Sequence, residues 1–295
     1  MGVTALLLTH RDGNHTMSHF LQRYFGRLWL ALVYVFLYIP LVFMVLFSFN
    51  STRQDGRFTG FSWRWYEALF NDHRIIDGLT TSLQVALVTG TLSAVLGAFA
   101  AFVLVRYPAF RGRQLFAGMV GAPLVMPEVI IGLSLLLLMV GVQHALDWPE
   151  RGLLTIIAGH TLLGMAYATV VITSRLREMD RSLEEAAMDL GCRPAQVFFL
   201  VTLPSIAPAL AAAWLLSFTL SFDDVVIAEF LSGPGVSTLP QVVFTYARRG
   251  INPTIYAAAT MIIAVESCSI IGWSLFTARR QLRREREVNA AQRGQ

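Results

Sequence analysis

Five acidic side chains lie in or near long apolar stretches of the sequence: Glu128, Asp223, Asp224, Glu229 and Glu266. A charged side chain at the centre of a bilayer costs about 2.5–3.5 kcal/mol on insertion scales. No arginine lies within these stretches to pair with an acid. The acids therefore require a polar cavity, protonation or a partner subunit, and a path lined by anions suits a cationic solute. The structural alternative is that they cap helices or bond neighbouring helices.

Adjacent residues on a helix point about 100° apart, so Asp223 and Asp224 cannot both face one pore. We expect one of them to line the path and the other to bond a neighbouring helix or a partner subunit. Glu128 and Glu266 lie nearer the middle of their apolar stretches. Glu229 lies close to a Gly-Pro-Gly turn, where it can be solvated at the outer mouth.

The sequence offers no catalytic or metal-binding motif, since HExxH, GxSxG and CxxC are all absent. His160 is the only histidine within an apolar stretch, and we expect it to bond a neighbouring helix. Cys192 and Cys268 are far apart in sequence and are expected to be reduced and structural. All 23 basic residues are arginine, so the chain lacks both a P-loop lysine and a Schiff-base amine. We expect no catalytic residue, metal or cofactor in this chain; if ATP drives it, another subunit must bind the nucleotide.

The composition predicts an all-α integral membrane protein, because 55% of the 295 residues are hydrophobic and only 14% are charged. Six apolar stretches are long enough to cross a bilayer as helices, at 28–47, 80–105, 115–142, 153–173, 207–231 and 254–276. The second is rich in glycine and alanine, which favours close helix packing. Pro123 and Pro127 interrupt the third, either beside the path or as ordinary kinks.

The two ends of the chain fall outside these stretches. Residues 1–20 contain no crossing segment and are expected to form a disordered extension, with Met17 as an alternative start. Residues 279–295 form a basic tail.

The arginines orient the chain, because six crossings place both termini on one side of the membrane. Sixteen arginines lie in the termini, the 106–113 loop and the 174–193 segment, and seven lie in the other loops. The positive-inside rule therefore predicts that both termini and the 174–193 segment are cytoplasmic. Arginines that flank apolar stretches also favour a topological role over nucleic-acid binding.

Residues 181–204, hereafter the coupling hairpin, are a polar interruption that predicts two short helices and a bend. Ser182 is predicted to N-cap the first helix, with Glu185 as the reciprocal partner of a capping box. Gly191 is predicted to end that helix in a left-handed conformation, and Pro194 to begin the second.

The spacing of this hairpin resembles the EAA loop of binding-protein-dependent ABC importer permeases, carried here by Glu185, Ala186, Ala187, Gly191, Val201, Leu203 and Pro204. Only Val201 departs from the family, which usually has isoleucine there. In that family the loop is the cytoplasmic element that docks into a groove on the ATP-hydrolysing subunit. The resemblance implies that these residues, together with Ser182, couple the chain to an ATPase. We also expect Leu203 and Pro204 to end the second helix.

From about Leu21 onward the chain resembles the permeases of the putrescine/spermidine importer group. The matching segments are 122–138, 174–191 and 218–240, and the best single mark is the Asp223-Asp224 pair followed by Ser-Gly-Pro-Gly. The resemblance implies a type I ABC importer permease domain over 21–278, in the bacterial inner membrane. It also implies a heterodimer with a paralogous permease, two subunits that bind ATP and Mg, and a periplasmic polyamine-binding protein that contacts loops 50–78 and 232–253.

Three alternatives stay open. The same machinery can carry another small solute. An ion-coupled secondary transporter would use the buried acids as proton sites and would need no ATPase; the inverted repeats that would support it are not evident. A membrane-embedded enzyme would need a nucleophile–base pair or a metal set within the spans, and the sequence offers neither.

Overall fold

A computed structural model describes residues 4–52, 57–107, 109–248, 253–265, 267–268, 271–272 and 275, with side chains from Phe25 onward. These residues are helical apart from connecting segments and an isolated bridge between Asn50 and Phe61. The chain divides into two compact units, one of residues 1–69 and 250–295 and the other of residues 70–249. Glu266 and the 279–295 tail lie outside the described residues.

The helices, in chain order, are α1 Thr4–Ser48, α2 Arg64–Phe70, α3 His73–Arg106, α4 Arg113–Gly121, α5 Glu128–Leu146, α6 Leu153–Glu178, α7 Ser182–Asp189, α8 Pro194–Val197, α9 Leu203–Asp223, α10 Val226–Leu231, α11 Leu239–Arg248 and α12 Pro253–Val265. A 3₁₀ turn, Ala122–Leu124, precedes α5, and a π turn, Phe198–Thr202, joins α8 to α9.

Five segments of the described chain are long and apolar enough to cross a membrane: Phe25–Ser48, His73–Arg106, Glu128–Leu146, Leu153–Glu178 and Pro194–Asp223. They correspond to the first five predicted spans. For the sixth, the structure describes only the short apolar helix α12 followed by scattered residues, so a sixth crossing stays a prediction. α1 begins at Thr4, so residues 4–20 are helical rather than the disordered extension we expected; no proline precedes Pro40 to interrupt the helix.

The third predicted span is broken by its two prolines. Pro123 lies in the 3₁₀ turn, and Pro127 immediately precedes α5, whose first residue is Glu128. Proline lacks an amide hydrogen and disfavours helical geometry at the residue before it, so a helix cannot run through both sites undisturbed. The prediction of one span over 115–142 with Glu128 near its middle is therefore wrong. α5 alone is the crossing segment.

The core of the 70–249 unit is formed by α3, α6 and α9, with α10 set against α5 and α6. One apolar cluster joins Val85, Ile131, Ile156, Ile157, Leu163, Ile227, Ala228 and Leu231. A second joins Ala98, Ala101, Ala168, Ile172, Leu176, Ile206 and Ala213. The many small residues let the helix backbones approach closely, as predicted for the second span.

Gly97 is the clearest test of this close approach. A Cβ at Gly97 would lie 2.6 Å from Ala168 Cβ and 3.0 Å from Thr169 N. Because neither neighbour can rotate away, Gly97→Ala is expected to destabilise the chain by about 1–3 kcal/mol. Thermal unfolding of the purified protein in detergent measures the effect. Gly118→Ala is the matched control, because a Cβ at this position meets nothing within 4 Å; equal melting temperatures for the two variants would contradict the prediction.

In the other unit, the segment after α1 is held by Asn50. Trp65 Nε1 donates to the Asn50 carbonyl oxygen at 2.6 Å, and Asn50 Nδ2 donates to the Arg57 carbonyl oxygen at 2.9 Å. Beside it, four aromatic rings stack or meet edge to face: Phe49, Phe61, Trp63 and Tyr66.

Candidate functional site

The first helix of the coupling hairpin does not begin as predicted. Ser182 is the first residue of α7, and Arg181 occupies the N-cap position without a side-chain cap. Asp180 Oδ1 instead accepts a hydrogen bond from Ser182 N at 2.9 Å. This bond holds the pKa of Asp180 below its ordinary value. The predicted capping box between Ser182 and Glu185 is therefore wrong, because the upstream aspartate supplies the acceptor.

The turn of the hairpin follows the sequence closely. Gly191 has φ +91°, as predicted for a left-handed helix end. Cys192 N donates to the Ala187 carbonyl at 3.1 Å, and Gly191 N donates to the Met188 carbonyl at 2.9 Å. These two bonds define a Schellman motif, which satisfies the last carbonyls of α7. Pro194 begins α8, also as predicted.

The second helix of the hairpin does not end at Leu203 and Pro204. α8 passes through the π turn directly into α9, and Leu203 N donates to the Phe198 carbonyl across that turn. A proline is tolerated where its missing N–H costs no bond, and a π turn is one way to rearrange the bonding around it. The prediction that these residues terminate the helix is wrong. The hairpin continues straight into the fifth crossing segment.

α7 presents an exposed face with both acidic and apolar side chains. Glu185 and Ala186 are exposed, and Ala187 is half-buried. Among the apolar residues, Leu183 is 53% exposed, Met188 45% and Leu190 87%. Exposed apolar groups gathered on one short segment are typical of a surface that meets another protein.

Glu184, which the motif does not single out, lies in the opposite direction and is buried. Its carboxylate accepts from Arg106 at the end of α3, with Nε–Oε2 at 2.8 Å and Nη2–Oε1 at 2.9 Å. Thr202 Oγ1 donates to Glu184 Oε1 at 2.7 Å, and Arg106 Nη1 donates to the Leu176 carbonyl at 3.5 Å. We name these four residues the Arg106 junction. It joins α3, α6, α7 and the π turn.

Sequence reasoning missed this junction because the paired residues are 78 positions apart. The one signal available was the position of Arg106 at the end of an apolar stretch, which we interpreted only as a topological marker.

Asp224, the second of the two adjacent aspartates, bonds neighbouring helices. It follows α9 and caps α10: Oδ1 accepts from Val226 N at 3.2 Å, and Oδ2 accepts from Ala228 N at 3.0 Å. His160 of α6 approaches the same carboxylate, with Nε2–Oδ2 at 2.9 Å. His160 Nδ1 also lies 2.8 Å from Ser221 Oγ, so the prediction that His160 bonds a neighbouring helix is confirmed.

The other predicted acids occupy more exposed positions. Asp223 is exposed at the last residue of α9. Glu229 is exposed, and its Oε2 accepts from Gln241 Nε2 at 3.1 Å. Glu128 is exposed in the first turn of α5, where the helix dipole favours an acid. Within the described parts of the chain, no three His, Cys, Asp or Glu residues are grouped to hold a metal ion.

A cavity of about 310 Å³ lies between the start of α3 and the length of α11, in the parts of the chain predicted to face the periplasm. Arg74, Asp77 and Tyr246 contribute its charged and phenolic groups. Tyr246 Oη donates to Asp72 Oδ2 at 2.8 Å, and burial together with this bond raises the pKa of Tyr246. Asp72 also caps α3 by accepting from Arg74 N at 3.0 Å, so the cavity wall is anchored to the start of a crossing helix.

The five candidate crossing segments are those of a multi-pass membrane protein, and comparison with known families gives its class. Residues 93–281 match the family described as binding-protein-dependent transport system inner membrane component. The chain belongs to this family and is a multi-pass inner-membrane protein.

Among curated relatives, the chain is 51% identical to the putrescine transport system permease protein PotI of Escherichia coli (strain K12) over 267 residues, covering 90% of this chain and 95% of that protein. It is 36% identical to the spermidine/putrescine transport system permease protein PotC of Haemophilus influenzae, covering 87% and 98%. A bacterial ABC transporter involved in alginate import shares the fold, with a TM-score of 0.67 at 18% identity over 85% of this chain and 96% of that one. The predicted type I permease fold is thus confirmed.

Proposed function

We propose that this chain is the membrane-spanning permease subunit of an ATP-driven importer of putrescine or another polyamine. The observation that carries the proposal is the 51% identity to a putrescine permease over 90% of the chain. In this role the chain couples ATP hydrolysis by partner subunits to alternating access. It performs no catalysis itself.

The coupling hairpin is the docking element for the ATPase in this proposal. Its exposed Glu185 and the apolar groups beside it offer a mixed surface that nothing in the chain's described residues covers. Gly191 sets the bend, and the continuous path from Pro194 into α9 carries movement into the membrane. The arginine distribution supports a cytoplasmic hairpin and cytoplasmic termini.

The complete assembly contains a paralogous permease as heterodimer partner, two subunits that bind ATP and Mg, and a periplasmic polyamine-binding protein. A solved alginate ABC transporter with a TM-score of 0.64 to this chain is in complex with its periplasmic protein, which supports the last partner. The parts of loops 50–78 and 232–253 that border the cavity near Tyr246 offer a surface for it.

Acidic side chains supply the negative potential along the substrate path. Asp223 and Glu229 do so at the outer half, and Glu128 and Glu266 contribute from other spans. Asp224 acts differently: its bonds to α10 and its contact with His160 hold the α9–α10 corner that presents Asp223 and Glu229.

Affinity purification of the tagged chain, followed by reconstitution of the complex in proteoliposomes, tests the proposal. We expect an ATPase subunit to copurify, and labelled putrescine uptake to require ATP and to be inhibited by spermidine but not by an uncharged solute. Copurification without polyamine inhibition would favour the same machinery for another solute. Uptake driven by an ion gradient alone, with no ATPase present, would refute the assembly.

A further inference from the structure

One side chain of α7 points into the rest of the chain. Glu184 is the only buried residue of α7. Every other residue of that helix is exposed or half-buried. Among the described residues, the side-chain ion pair and hydrogen bonds that join α7 to the membrane-spanning body all involve the Glu184 carboxylate.

The body that receives this carboxylate is well packed. Side chains of Arg106 and Glu184 are only 7% and 12% exposed. Immediately beyond them lies the apolar cluster of α3, α6 and α9, in which Leu176 is fully buried and Ile206 is 1% exposed. Contacts of this density transmit displacement between helices instead of absorbing it.

The geometry of the Arg106–Glu184 ion pair also allows it to transmit the direction in which α7 moves. Two guanidinium nitrogens of Arg106 meet the two carboxylate oxygens of Glu184, a fork that fixes orientation as well as distance. Thr202 donates to the same carboxylate from the π turn that leads into α9. A shift of α7 thus acts on the end of α3 and on the start of α9 together.

We propose that Arg106 and Glu184 are positioning residues that transmit movement of the coupling hairpin to α3 and α9. The inference rests on the proposed function, in which an ATPase moves the hairpin. Glu185 contacts the partner, whereas Glu184 passes the resulting motion inward. Two adjacent glutamates thereby serve opposite faces of one helix.

Charge reversal in the complete reconstituted transporter tests the transmission. We expect Glu184→Arg alone to lower putrescine-stimulated ATP hydrolysis by about fivefold or more, while basal hydrolysis and copurification of the ATPase persist. Arg106→Glu alone should behave in the same way. The double variant Arg106→Glu/Glu184→Arg restores the pair with reversed polarity and is expected to recover stimulation above either single variant.

Glu178→Arg is the matched control, since Glu178 is an exposed acid near the end of α6 whose 3.4 Å pair with Arg175 lies outside the junction. It should leave stimulation unchanged. Thr202→Val and Arg106→Lys provide milder variants if a reversal prevents membrane insertion, because the first keeps the ion pair and the second keeps the charge but loses the fork. Both should lower stimulation partially.

Full stimulation in Glu184→Arg, or in both milder variants, would overturn the inference. So would a double variant no better than the singles. Failure of the proposed function would give a different result. In that case the wild-type chain itself would copurify with no ATPase, or putrescine would not stimulate ATP hydrolysis.

Discussion

Replacing Glu185 by arginine is expected to abolish substrate-stimulated ATP hydrolysis in the assembled transporter while the chain still reaches the membrane. Glu185 is exposed on α7, so its replacement removes no internal contact of the chain's core. In the docked complex that we propose, a longer side chain of opposite charge would enter the ATPase groove. Reversal of charge within an interface costs several kcal/mol, so we expect a loss of stimulated rate on the order of a hundredfold.

The measurement compares ATP hydrolysis with and without the loaded binding protein, in complexes matched for the amount of permease. Glu150→Arg is a suitable control, because it reverses an exposed acid outside the coupling hairpin, in the connection between α5 and α6. Membrane fractions of both variants should contain wild-type amounts of the chain. Normal stimulation in Glu185→Arg would exclude docking through this face of α7.

Replacing Asp224 by alanine is expected to lower stability and uptake together. The change removes the acceptor for the backbone amides of α10 and leaves buried His160 without its carboxylate contact. Loss of a helix cap and of a buried polar partner together cost about 2–4 kcal/mol. Thermal unfolding in detergent measures the first effect, and putrescine uptake in proteoliposomes measures the second.

Asp223→Ala, at the same α9–α10 corner, distinguishes an effect on uptake from an effect on stability. Asp223 is exposed at the last residue of α9, whereas the Asp224 side chain is buried, so the loss of Asp223 should lower uptake with a smaller fall in melting temperature than Asp224→Ala causes. Asp224→Asn keeps one carbonyl acceptor and should melt between the wild type and Asp224→Ala. Equal melting temperatures for the two alanine variants would contradict the division of roles between these aspartates.

The local geometry of the hairpin was predictable because it depends on few residues. A glycine that adopts a left-handed conformation and a proline at the first turn of a helix act through their own backbone restrictions. Gly191 and Pro194 accordingly lie where the sequence placed them. The existence of five crossing segments could likewise be predicted, since it depends on the length and hydropathy of each apolar stretch.

What the sequence did not reveal depends on distant partners. Glu184 and Glu185 are chemically identical, and only the position of Arg106 makes one of them internal. Asp223 and Asp224 are equally indistinguishable until His160 and the start of α10 are in place. The start of α5 at Glu128 was missed for another reason, because apolar composition alone does not show where two prolines divide a span.

The unbroken path from Pro194 to Asp223 has a mechanical consequence. Its 30 residues make a helical segment about 45 Å long. The near end of this segment lies beside the bend of the hairpin, and the far end carries the exposed Asp223. A tilt of about 10° around the near end would sweep that far end through about 8 Å, which follows from this length alone. In the proposed mechanism, a tilt of about 10° imposed at the cytoplasmic end is thus enough to open or close a passage at the outer end.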